Sequence, residues 1–358
     1  MKRIITTILT TIIILAGFSP IFAFADGKEE GNKSFSVEPL IPTEQADKTL
    51  SYFNLVLQPN QESVLEVKVS NHSEDEITVL AETNTAFTNN NGITQYSASE
   101  RKPDSTLIHS FSEIGRLEEN EIKLAGNESR NIKISLKMPD EKFDGHILGG
   151  IYFSLKNDST EEQKKQIANT YSYTIGVLLS NTGEEIASNL VLSEVRAEQK
   201  NFRNVILANI QNTEAAMIRE LKLDGKIYPE KGSEVLYQAQ TENLRMAPNS
   251  NFDYSIPLGN KRFQSGSYRL EMTAVADGKE YKWVEKFKIT SDEAKRFNET
   301  AVELEKPNNL IYYIIIGGTI LAILIVIVVI QGRRLSKKNQ PESNKLKNSS
   351  KKKKRKKK

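Results

Sequence analysis

The chain has 358 residues, no cysteine and a formal net charge of +3, but that charge is unevenly spread. Residues 331–358 hold 14 Lys and Arg against the single acid Glu342, whereas residues 26–309 carry 33 basic and 45 acidic side chains, a net of −12. Without Cys there are no disulfides, thiol nucleophiles or thiolate metal sites, and an acidic central region walled off from the basic tail by an apolar segment excludes a basic-patch nucleic-acid binder.

At the N-terminus, Lys2-Arg3, an apolar run over 4–18 and Ala23-Phe24-Ala25 predict a secretory signal over 1–25, cleaved after Ala25. Beyond it, short stretches of alternating apolar and polar residues separated by Asn, Gly and Pro predict antiparallel strands with one buried face. Val64-Leu65-Glu66-Val67-Lys68-Val69 follows a Gln58-Pro59-Asn60-Gln61 turn, and Ile132-Lys133-Ile134-Ser135-Leu136 follows Ala125-Gly126-Asn127-Glu128. Crossover helices are not evident, so the expected fold class is all-β, with two tandem immunoglobulin-like β-sandwiches over 34–155 and 188–290. Between them, 156–187 reads as a polar loop plus a strand, Tyr171 to Leu179, that either closes the first sandwich or opens the second. The clearest hairpin joins 268–276 to 280–289 through Asp277-Gly278, a pair suited to a type I′ turn.

After the second sandwich, Thr290 and Glu293 fit a capping box, and Ala294, Phe297, Ala301 and Leu304 recur at helical spacing before Pro307, which predicts a helical stalk over 291–309. Residues 310–330 contain no charge, and 21 residues at ~1.5 Å rise reach the ~30 Å of a bilayer core. Arg333, Arg334, Lys337 and Lys338 follow at once, placing this group at the membrane surface and the tail 331–358 in the cytoplasm by the positive-inside rule. The terminal run Lys351 to Lys358 is either a disordered stop-transfer tail or an anionic-headgroup contact. No Leu-Pro-x-Thr-Gly precedes the apolar segment, so the expected anchor is the helix itself, with the ectodomain outside at the cell wall.

Chemistry is sparse. His72, His109 and His146 are far apart in sequence and expected in solvated loops or turns, and neither His-Glu-x-x-His nor Gly-x-Ser-x-Gly occurs. Asp140, Asp144 and Gly145 match the first, fifth and sixth positions of an EF-hand loop, but Lys142 and Ile151 occupy the third and twelfth, so no metal ligand set is assigned. With 45 acids between residues 26 and 309, no pair is singled out for glycoside hydrolysis. No catalytic residue, metal site or cofactor is therefore assigned. Gly149 and Gly150 ahead of Ile151-Tyr152-Phe153 suggest either a bulged core strand or a ligand-facing surface formed by Gly149, Gly150 and Tyr152.

Several stretches resemble the WxL-interacting proteins of Gram-positive bacterial surfaces. In the first domain these are Phe35-Ser36-Val37-Glu38-Pro39, Tyr52-Phe53-Asn54-Leu55, and the run from Met138-Pro139-Asp140 through Gly149-Gly150-Ile151-Tyr152-Phe153. In the second they are Ala208-Asn209-Ile210-Gln211-Asn212, Met246-Ala247-Pro248-Asn249-Ser250 and Gly266-Ser267-Tyr268. The resemblance implies that the first domain binds peptidoglycan, that the second binds host or extracellular-matrix components, and that WxL-domain surface proteins are partners. The only tryptophan, Trp283, is followed by Val284-Glu285 and makes no Trp-x-Leu, so the chain looks like the membrane-anchored, non-enzymatic adaptor rather than the WxL protein. A ligand-sensing surface receptor acting through a separate partner and a cell-wall glycan hydrolase are the competing readings.

Overall fold

The computed structural model describes residues 35–45, 47–98, 100–156, 171–305 and 310–338. The predicted signal peptide over 1–25 and the tail beyond Lys338 lie outside these residues, as does most of the polar loop after Lys156.

The first sandwich packs a four-stranded sheet on a five-stranded one. The first, in the order β1-β3-β9-β7, is built from β1 (Phe35–Leu40), β3 (Glu62–Asn71), β9 (Ser129–Lys137) and β7 (Gly115–Leu117). The second, in the order β2-β11-β10-β4-β8, is built from β2 (Phe53–Val56), β11 (Ser172–Ser180), β10 (Ile147–Leu155), β4 (Ile77–Thr85) and β8 (Glu121–Leu124). The two-residue side-chain period of a strand turns Leu65, Val67 and Val69 of β3 and Ile132, Ile134 and Leu136 of β9 to one face, where they meet Ile151, Phe153, Ile175 and Val177 from the opposing sheet. A short hairpin, β5 (Phe87–Thr88) with β6 (Thr94–Gln95), and a single helical turn, α1 (Phe111–Ile114), lie between β4 and β7.

The segment left open by the sequence, Tyr171 to Leu179, supplies β11. It pairs antiparallel with β10 and parallel with β2, so its alternating Ile175, Val177 and Leu179 complete the first core. Register through Gly149 and Gly150 is continuous on both sides of β10, which removes the bulged-strand reading of the glycine pair.

The second sandwich combines a three-stranded sheet, β12 (Leu190–Lys200), β13 (Arg203–Asn212) and β16 (Ser250–Pro257), with a four-stranded sheet in the order β15-β14-β17-β18. The latter comprises β14 (Ile218–Pro229), β15 (Tyr237–Met246), β17 (Gly266–Ala276) and β18 (Lys279–Ile289). At the predicted hairpin, Asp277 and Gly278 have φ of +47° and +87°, the positive values a type I′ turn needs, and β17 pairs with β18 without a slip.

Helix α2 (Ser291–Thr300) starts at the predicted capping box, with Thr290 Oγ1 accepting from the Glu293 amide and the Glu293 carboxylate accepting from the Thr290 amide. It ends at Thr300, earlier than the sequence pattern suggests. Its apolar face does not stand free: Ala294 and Phe297 join the second core, the Phe297 ring lies 5.6 Å from that of Phe263, and Gln199 Nε2 donates to the Phe297 carbonyl at 2.6 Å. Burying two apolar side chains stabilises the helix more than projecting them into water would, so the stripe read as a stalk serves as packing. Helix α3 (Leu310–Lys338) contains a 20-residue apolar stretch, Tyr312–Gln331, long enough to cross a bilayer.

Candidate functional site at the seam between the sandwiches

Thr88, Gly92, Asp104 and Thr106, from the chain between β4 and α1, contact the second sandwich. Thr88, fully buried, accepts from the Ala247 amide at 3.0 Å and shares a 2.6 Å hydroxyl contact with Ser250, while the Arg245 amide donates to the Gly92 carbonyl at 2.7 Å. The His146 amide donates to the Ala215 carbonyl at 2.7 Å. An apolar plug of Ala86, Leu148 and Leu178 from the first domain and Ala247 from the second is flanked by Tyr96 and Met217.

Around the plug runs a polar lattice. The Asp104 carboxylate accepts from the Thr106 amide at 2.9 Å, the Thr106 hydroxyl at 2.8 Å, Gln211 Nε2 at 2.9 and 3.1 Å, and Asn251 Nδ2. Asn209 Nδ2 bridges the side chains of Asn251 and Asp253, and Arg196 holds Asp253 with two N–H groups at 2.8 and 3.3 Å. Partial burial alone would raise the Asp104 carboxyl, yet the donors from Thr106, Asn251 and Gln211 outweigh it and hold the group below its ordinary value. Asp253 is lowered in the same way, against burial, by Arg196 and Asn209.

His146 departs from the solvated position expected of it. It is 6% exposed, its Nδ1 has no hydrogen-bond partner, and burial pushes its imidazole below the ordinary value, opposed by Glu185, with the Arg219 cation adding to the depression. His72 does sit in solvent, 2.7 Å from Ser36 Oγ, and His109 is half-buried with its ring 5.4 Å from Phe143. Among the described residues no group of three or more His, Cys, Asp or Glu is placed to hold a metal ion.

Two clefts open along the seam. One, of about 530 Å³, is lined by Asn84, Phe87, Arg101 and Ser112 of the first domain and Asn249 and Asn251 of the second. The other, of about 510 Å³, is lined by Leu107, Phe143 and His146 with Ile186, Glu214 and Pro248.

The sequence-predicted trio falls on two faces of β10. A Cβ on Gly149 would lie 2.1 Å from the Phe111 ring, so this glycine lets α1 seat flush against the sheet. Gly150 and Tyr152 share the opposite face, Gly150 under Tyr96 and Tyr152 half-buried in register with Thr174 and Glu82, and neither lines a seam cleft. Arg333 and Arg334 are exposed near the end of α3, which also includes Lys337 and Lys338 in its backbone. Sequence reasoning missed Thr88 and Asp104 as seam residues. A signal existed on β13, where Asn209 and Gln211 place amides on the face opposite the core residues Ala208 and Ile210.

Among solved structures, the chain is similar to the E. coli chaperone DraB (14% identity, 71% of this chain and 98% of that one, TM-score 0.28). It is also similar to the class 5 fimbriae chaperone CfaA (13%, 70% and 98%, TM-score 0.28) and to a chain of the CsuC–CsuE chaperone–tip adhesion subunit complex of Acinetobacter baumannii (10%, 70% and 97%, TM-score 0.33). No curated protein matches the sequence. Two family models match in tandem: the WxL Interacting Protein peptidoglycan binding domain over residues 35–155, and the host binding domain of the same family over 162–299. The second match takes in β11, which hydrogen-bonds within the first sandwich, so the homologous units and the folded sheets divide the chain at different places. With both domain models matched in order across most of its length, the chain belongs to the WxL-interacting protein family.

Proposed function

We propose that the protein is a non-enzymatic surface adaptor, anchored by α3, whose first sandwich holds peptidoglycan and whose second holds WxL-domain surface proteins and host or matrix ligands. The observation that carries this reading is the tandem order of a peptidoglycan binding domain and a host binding domain ahead of the 20-residue apolar stretch of α3. The seam adds a mechanical reason. Two binding domains tied by buried hydrogen bonds transmit force between wall and partner without reorienting, and pre-organisation lowers the ordering cost of engaging both. In this arrangement Arg333, Arg334, Lys337 and Lys338 lie at the cytoplasmic face of the membrane. A partner strand added to an exposed sheet edge would give a salt-resistant complex, because backbone pairing and apolar contact are screened little by ions.

The test is capture of the full chain in detergent micelles on a purified WxL-domain protein and, separately, on wall sacculi, each at 0.15 and 0.5 M salt. Retention on both at both salt levels is expected. Failure on both would remove the adaptor reading. On intact cells, an external protease should destroy epitopes in the two sandwiches and spare one at Lys358; the reverse pattern would overturn the orientation.

A further inference from the structure

The cleft of about 530 Å³ beside Asp104 falls within the ~300–1,000 Å³ typical of small-ligand sites, and both domains build it. Its wall is dominated by side chains that both donate and accept hydrogen bonds: Asn84, Thr85 and Ser112 from the first domain, Asn249 and Asn251 from the second. Sugar hydroxyls and acetamido groups have the same dual character. The charges in the lining are mixed, Arg101 and Lys102 with Asp104 and Glu113, and so do not favour an ion of one sign. Two of them are engaged in the seam: Arg101 donates to the Thr88 carbonyl at 2.9 Å and to Asn90, and Asp104 receives Thr106, Gln211 and Asn251. Beside the polar groups, Ala86, Phe87 and Leu107 offer an apolar surface suited to the C–H face of a pyranose or the methyl of an N-acetyl group.

We propose that this seam cleft binds a hydroxyl- and acetamido-bearing ligand, a disaccharide segment of wall glycan, using residues of both domains. The proposal rests on the wall-binding reading above and locates it. Because the lattice around Asp104 and Thr88 already fixes the walls of the cleft, the ligand meets a formed site and little protein ordering opposes binding. The first domain supplies most of the lining, and Asn249, Ser250 and Asn251 of the second complete it.

The experiment uses the full chain in detergent micelles, titrated calorimetrically with N-acetylglucosaminyl-N-acetylmuramyl dipeptide, beside a sacculus pull-down. Asn84→Ala removes an amide from the wall of the cleft, and Ser112→Tyr, at an exposed position, fills its volume. Each is expected to weaken the disaccharide at least tenfold with an unchanged thermal midpoint, while Tyr152→Ala, outside the lining, stays within twofold of the parent. Affinity within twofold of the parent in both cleft variants overturns the proposal, as does a parent that pellets with sacculi but takes no disaccharide. Loss of binding in Tyr152→Ala alone moves the site to the outer sheet face and likewise overturns it. A parent that fails to pellet with sacculi at all is a different result, since it removes the wall-binding reading itself.

Discussion

Gln211, on a strand of the second sandwich, donates its side-chain amide to both carboxylate oxygens of Asp104, 107 positions earlier in the first, at 2.9 and 3.1 Å. With Asn251 and Thr106 also donating, one carboxylate satisfies donors from both domains. Such a group is costly to remove, because its partners are left facing one another without an acceptor.

Asp104→Ala should therefore lower the unfolding free energy by about 1–3 kcal/mol, the range for orphaned polar partners of a charged group. Asp104→Asn keeps one carbonyl acceptor and should recover part of the loss. Urea denaturation of the full chain in micelles measures both, and a change under about 0.5 kcal/mol for the alanine variant would mean that the lattice contributes nothing beyond an ordinary surface contact.

Thr88→Val tests the buried side of the seam. It leaves the Ala247 amide, 159 positions away, without its hydroxyl acceptor and takes the contact from Ser250. A loss of about 1–3 kcal/mol is expected, together with separation of one unfolding transition into two as the domains uncouple. A single transition of unchanged cooperativity would show that other contacts hold the seam.

The pH dependence has two windows. His146 is depressed from its ordinary value of 6.5, so the folded state binds fewer protons than the unfolded one and stability begins to fall as pH drops below that value. Asp104 and Asp253 are depressed from 3.8, and their contribution is complete above that value and is lost as pH falls through their lower folded values. Denaturation at intervals from pH 8 down to about pH 2 should show both declines. His146→Phe should abolish the upper one and leave the lower; persistence of the upper decline in that variant would refute its assignment.

Gly149→Ala places a methyl 2.1 Å from the buried Phe111 ring and should destabilise by about 1–3 kcal/mol through overpacking. Combining it with Phe111→Leu should cost less than the sum of the two single changes, because the residues share one contact. Strict additivity in thermal denaturation would exclude direct packing as the cause.

Strand alternation, the Asp277-Gly278 turn, the Thr290–Glu293 capping box and the apolar run after Asn309 were all legible in the sequence, because each is set by residues within a few positions of one another. The partner of β11 was not. Its Ile175 and Val177 would suit either core, and only pairing with β10 and β2 assigns it to the first. The same holds for His146, whose surroundings come from Ala215, Glu185 and Arg219 in other segments. Gly149 and Gly150 stood out as a pair ahead of an apolar run, yet what packs on them, Phe111 on one face and Tyr96 on the other, comes from the segment between β4 and β7. Local sequence determines which residues can form a strand, a turn or a membrane span, since those preferences act over a few residues. The seam and its cleft arise from side chains more than 100 positions apart, and their meeting is decided only when both cores have closed and their surfaces are apposed.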